Sequence, residues 1–273
     1  MKSDSRFMQL INKRRQFIAA FSHSNVGPTG HCNVEADLTA AIAYRKEFNL
    51  RHPDVKLTFN DMIIKAAANA LHKHPLYLCN YDGRYSLFPT RLVDIRFPVD
   101  IGNHLGWGMV RDADKKSLKR VAIDSKTSIE RTRRDTPRKA ERWDDIFTNH
   151  PVVPSIFFGL VKTLTTAGAI VPSIDRWRRD LTRKFRGTFL ITNVGPAGIM
   201  RMEGPIVAPD ILHLMITATR PTPTLEDGKI VIKPMLPLVA KYDCRMTDTV
   251  HAAAFLSDVK KNLEAPGTRL GPY

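Results

Sequence analysis

Apolar positions along the chain change period several times, and each change marks an element. From Asp61 to His72, the side chains of Met62, Ile63, Ala66, Ala67, Ala70 and Leu71 share one broad face, which predicts a helix stopped by Pro75. Leu38 to Asn49 reads as another helix, with Asp37 or Thr39 as cap. Ile11 to Phe21 reads as a short helix with a basic face, and Ser117 to Arg134 as a charged one. Asp248 to Glu264 closes the series, with Ala252, Phe255, Val259 and Leu263 on one stripe. Alternation and branched residues predict strands at His31 to Asp37, Leu92 to Ile101, Gly108 to Val110, Gly187 to Val194, Ile211 to Ala218 and Pro237 to Tyr242. Asn25 to Gly30 is a loop, and Asp82-Gly83 centres a turn. Asp227-Gly228 predicts a hairpin turn joining the Ile211 to Ala218 strand to Ile230-Val231-Ile232. The mixture predicts an α/β (α+β) class. No G-x-G-x-x-G or P-loop pattern supports a nucleotide fold.

A length of 273 residues allows a large core, and 43% hydrophobic with 25% charged residues is ordinary globular composition. Three cysteines, Cys32, Cys79 and Cys244, are too few for a disulfide framework or a four-ligand zinc module, so the thiols are expected free and no metal is expected. No signal-like apolar stretch precedes Asn12, which points to the cytoplasm. Charge changes the picture. Lys plus Arg is 42 against 27 for Asp plus Glu, a net +15, which favours anionic partners such as nucleic acid, acidic lipid or coenzyme A. The basic clusters at 111–142 and 176–186 lack aromatic interleaving and zinc-finger spacing, so no specific nucleic-acid partner is expected.

Several segments, in order, resemble the catalytic core of the acyltransferase component of 2-oxo-acid dehydrogenase complexes. They are Arg14-x-x-Phe17-x-x-x-Phe21, Glu35 to Thr39 with Arg45-Lys46, Leu57 to Ala67, Arg111 to Leu118, Gly187 to Gly195, and Asp243 to Asp248. The resemblance spans most of the chain outside residues 136–183 and implies a chloramphenicol-acetyltransferase-like fold. It implies a single catalytic core over residues 1–273, without lipoyl or subunit-binding modules. It also implies a homotrimer with coenzyme A and acceptor entering a channel between subunits; a larger assembly stays open.

Acyl transfer between thiols needs a base and a donor for the tetrahedral oxyanion. By the resemblance, Thr192 supplies the oxyanion hydroxyl, Asn193 and Gly195 shape the turn after it on the coenzyme side, and Arg14 with Asp248 braces the active-site loop. The family's catalytic histidine is replaced by Cys244, and Thr249 stands where a glycine usually follows the aspartate. With a reference pKa of about 8.5 against about 6.5 for histidine, a thiol is a poor substitute base. Three readings follow: a silent scaffold core, Cys244 as an acyl-carrying nucleophile with His31 or His251 as new base, or transfer to an acceptor that needs little deprotonation. The stretch 144–186 reads as an insert. Its run Val152 to Val171 holds one charge, Lys162, and suits a packed lid or an interfacial patch on anionic membrane better than a bilayer span. Gly106-Trp107-Gly108-Met109-Val110 departs from the family's apolar strand, with Trp107 expected to fill core volume. The changed base, insert and strand together point to a hydrophobic, non-lipoyl substrate.

Overall fold

The computed structural model describes residues 28–81, 87–90, 92–102, 105–149, 187–206 and 210–271, with single positions at 156, 160 and 163. The helix expected at 11–21 with Arg14, the Asp82-Gly83 turn, the basic cluster 176–186 and the apolar run 152–171, save those three positions, lie outside the described residues. The elements are β1 (Thr29–Asp37), α1 (Thr39–Arg51), α2 (Phe59–Leu71), β2 (Cys79–Tyr81), β3 (Leu87–Pro89), β4 (Ile95–Asp100), β5 (Leu105–Val110), α3 (Leu118–Asn149), β6 (Phe189–Asn193), β7 (Leu212–Ile216), β8 (Arg220–Glu226), β9 (Lys229–Asp243), α4 (Thr249–Glu264) and α5 (Pro266–Arg269). A seven-stranded sheet runs in the order β1-β9-β7-β6-β4-β5, with β8 also paired to β9, and β2 and β3 form a separate pair. The β4–β6 and β6–β7 pairs are parallel and the rest antiparallel, a mixed sheet of the expected class.

Alternation decides which side of the sheet meets the helices. Ile191, Leu214 and Ala240 lie in one register row and are fully buried, and the Phe189 ring meets Phe255 of α4 at 5.5 Å between centroids. Ala252, Phe255, Val259 and Leu263 are buried together, as the stripe predicts. At the start of α2, Thr58 Oγ1 accepts the Asp61 N–H while the Asp61 carboxylate accepts the Thr58 N–H, a reciprocal cap. Lys65, buried on the same helix, donates to the carbonyls of Ala113 and Asp114, which binds the two segments nearest to the family pattern to each other. Burial pulls that ammonium's pKa down, against the attraction of Asp114.

Four expectations need correction. The Asp227-Gly228 turn joins β8 to β9, not β7 to a short strand; both turn residues have positive φ, 47° and 75°. β8 reads RPTPTLE, and its prolines hide it from a propensity reading; it pairs only with β9. Ile230–Ile232 and Pro237–Tyr242 are parts of one 15-residue strand. The helix expected to end at Arg134 runs to Asn149 through Pro137, whose missing N–H removes one helix hydrogen bond without ending the chain's turn. Trp107 does not fill the core; it is 47% exposed, with the Arg96 guanidinium 4.7 Å from its ring centre. The flanking glycines give the reason. A Cβ on Gly106 would meet Thr132 of α3 at 2.4 Å, and one on Gly108 would meet the Phe97 ring at 2.3 Å. Both glycines therefore face the crowded side, and the residue between them must face away.

Candidate active site

Thr192 is the penultimate residue of β6, half-buried, and paired with Met215 of β7. After it the chain turns sharply. Asn193 Oδ1 accepts the Gly195 N–H at 2.9 Å, and Val194 N–H still donates to Ile216 of the neighbouring strand. A Cβ on Gly195 would lie 2.8 Å from the Thr217 carbonyl, so the turn admits no side chain there. Asn193 and Gly195 thus hold the end of β6, next to the half-buried Thr192, in place.

The loop after β9 is built as tightly. The buried Asp243 carboxylate accepts from Arg245 Nε at 2.9 Å and from Arg245 Nη2 at 2.6 Å, and accepts the Arg245 N–H as well. Burial opposes the charged carboxylate, but these bonds and the guanidinium charge outweigh it and hold the Asp243 pKa below the usual range. Cys244 is exposed, and its N–H donates to Pro28 just before β1. Tyr77 bonds Thr247 at 3.0 Å, and Tyr242 bonds Thr249 at 2.6 Å. Asp248 caps α4 through the His251 N–H, and its carboxylate meets His251 Nδ1 at 2.9 Å. Both His251 contacts hold the Asp248 pKa low. His251 is thus held against the Asp248 carboxylate at the start of α4.

Within one chain these parts stay apart. Thr192, Met215, Val239 and Asn33 form one register row across the sheet. Cys244 lies five residues beyond Val239, roughly 16 Å along the strands at about 3.3 Å per residue. His31 is exposed on β1, three strand spacings from β6, roughly 14 Å across the sheet. The loop bearing Cys244, Asp248 and His251 therefore lies at the opposite end of the sheet from the strand end bearing Thr192.

A polar group that the sequence reading passed over lies much nearer to Thr192. His213 of β7 stands opposite Leu190, two residues from Thr192's partner, so His213 and Thr192 share a sheet face with Cα atoms about 8 Å apart. His213 Nε2 lies 2.9 Å from Asp210 Oδ2, and the same oxygen accepts from Arg96 of β4 at 2.9 Å. All three side chains are buried. The signal was present: His213 is the single polar residue in the strand Leu-His-Leu-Met-Ile, with Asp210 three positions earlier. An isolated histidine in an apolar strand means little until the register shows what it faces.

The family model described as the 2-oxoacid dehydrogenases acyltransferase catalytic domain matches residues 2–148 and 179–270. The chain belongs to this family. The chain is 26% identical, over 262 residues and 95% of its length, to the dihydrolipoyllysine-residue acetyltransferase component of the pyruvate dehydrogenase complex of Zymomonas mobilis, and covers 50% of that protein. Identity to the succinyltransferase component of the 2-oxoglutarate dehydrogenase complex of Cupriavidus necator is 30% over 227 residues, 83% of this chain and 44% of that one. The chain thus spans about half the length of the curated relatives it matches. Among solved structures, the cubic core of the pyruvate dehydrogenase multienzyme complex superimposes with a TM-score of 0.69 at 21% identity, covering 96% of this chain and 90% of that one. A chloramphenicol acetyltransferase does so at 0.51 and 13%, covering 92% and 94%. The fold is therefore of the chloramphenicol-acetyltransferase kind. Among the described residues no helix is long and apolar enough to cross a membrane.

Proposed function

We propose that this chain catalyses coenzyme-A-linked acyl transfer in a modified site closed between copies of itself, a trimer by family resemblance. The observation that carries this reading is the β6 terminus, where Thr192 stands one residue from the end of a strand whose turn is fixed by Asn193 and Gly195 in a member of an acyltransferase family. A hydroxyl held on a strand end is already oriented when charge develops on a thioester oxygen, so little reorganisation opposes its hydrogen bond. Closure between copies follows from the distance of Thr192 from the Cys244 loop within one chain. The exposed Trp107 and the apolar run 152–171 favour a hydrophobic acceptor over a lipoyl group.

A second reading has Cys244 carrying the acyl group, and its favouring observation is exposure: among the three cysteines only Cys244 is exposed. Burial raises the pKa of the other two thiols and makes them poorer nucleophiles. The test is release of coenzyme A from acetyl-, succinyl- and longer acyl thioesters by the full chain, with dihydrolipoamide and hydrophobic thiols as acceptors, followed by intact-mass measurement. Thr192→Val should lower kcat about 10²–10³-fold while Thr192→Ser retains most of it. An acyl adduct lost in Cys244→Ser would favour the covalent route. Wild-type turnover indistinguishable from the uncatalysed rate would leave a silent scaffold.

A further inference from the structure

We propose that His213 is the general base of this acyl transfer, oriented by Asp210 on the sheet face it shares with Thr192 of its own chain; the proposal rests on the acyl-transfer reading above. Cys244 stands where the family resemblance expects a histidine, so the reaction lacks a base unless another residue supplies one. Among the described residues, His213 is the histidine that shares a sheet face with Thr192 on the adjacent strand. Its ring is held at Nε2 by a buried carboxylate 2.9 Å away. A carboxylate there selects the tautomer with the proton on Nε2 and steadies the imidazolium that forms when Nδ1 takes a proton. Nδ1 has no hydrogen bond among the described residues, so it is the nitrogen left for chemistry.

The charges around the ring come from three directions. Asp210 precedes the strand, Arg96 reaches the same carboxylate oxygen from β4, and Lys241 of β9 stands opposite His213 in the register. Stability is a weak reason for this network. Buried ion pairs replaced by apolar residues of similar volume are often neutral or stabilising, and the rest of β7 is apolar. Arg96 also leaves its Nε buried with no partner among the described residues, a further cost of keeping the group.

The step balances without further reactants. Nδ1 takes the proton of the acceptor thiol, and the sulfur forms a bond to the thioester carbonyl carbon. The carbonyl electron pair moves to oxygen, where the Thr192 hydroxyl donates to it. Collapse restores the carbonyl, breaks the bond to the coenzyme sulfur, and that sulfur takes the proton back from Nδ1. The products are the acylated acceptor and free coenzyme A.

The test uses the full chain with the acyl thioester and thiol giving the fastest wild-type turnover. His213→Gln keeps an amide beside Asp210, and His213→Ala opens room for added imidazole. The expected result is a fall in kcat of about 10²–10⁴-fold in both, with KM for the thioester within a few-fold. The acid limb of the pH–rate profile should disappear, and imidazole should restore turnover in the alanine variant. A structural role would lower the melting temperature and would give neither the lost limb nor the rescue. Turnover by His213→Gln within threefold of wild type, with the acid limb intact, overturns the base and leaves acyl transfer standing. No turnover by wild type, although coenzyme A binds by calorimetry, overturns both.

Discussion

Asp243 and Arg245 act at the scale of single residues and set how the loop after β9 responds to acid. The folded Asp243 pKa lies below its unfolded value, so the unfolded chain binds the extra proton as pH falls. The stabilisation is complete above the ordinary carboxyl range near pH 4 and is lost as pH drops through the lower folded value. Urea midpoints measured from pH 6 down to pH 2 should therefore fall less steeply in Asp243→Asn than in wild type, from a lower start at pH 6. Equal slopes would mean that the pair adds nothing to stability. Gly30 belongs at this scale as well. A Cβ there would sit 2.5 Å from the Tyr242 ring, whose hydroxyl ties the loop to Thr249.

Between elements, the close approach of α3 to β5 decides which way Trp107 faces. Thr132 Oγ1 donates to the Trp107 carbonyl at 3.0 Å, and its methyl group fills the space above Gly106. Gly106→Ala should push helix from strand and cost about 1–3 kcal/mol, read from urea unfolding. Adding Thr132→Ser removes the clashing methyl while keeping the hydroxyl, so the double variant should recover part of that loss. A double variant no better than the single one would place the strain at Ile101, the other close neighbour at 2.6 Å.

At the scale of the molecule, the β8–β9 ribbon reaches beyond the sheet with Leu225, Ile230 and Ile232 60–76% exposed. Exposed apolar side chains gathered on such a ribbon suit contact with another chain. With the proposed site divided between copies, association and turnover should fail together. Ile230→Asp with Ile232→Asp should shift the light-scattering mass to that of one chain and abolish coenzyme A release, while the circular dichroism of the core persists. Full activity from a monomer would sink the shared-site reading.

Helices α2 and α4 were legible because their apolar stripes repeat at 3.6 residues, whereas the cap expected of α1 from Asp37 or Thr39 falls on Leu38, with no side-chain cap hydrogen bond. Family membership was legible for a similar reason, since six short segments in order carry it. Sequence order hid the strand β8, the continuity of β9 and the outward Trp107, because each depends on what lies across the sheet. Thr192 could be picked out by the family resemblance, yet its distance from Cys244 and its nearness to His213 are matters of register. Local pattern determines which residues form elements and which face of each is apolar. Only pairing between strands far apart in the chain decides which polar side chains share a face, because a one-residue change of register would turn His213 to the opposite side.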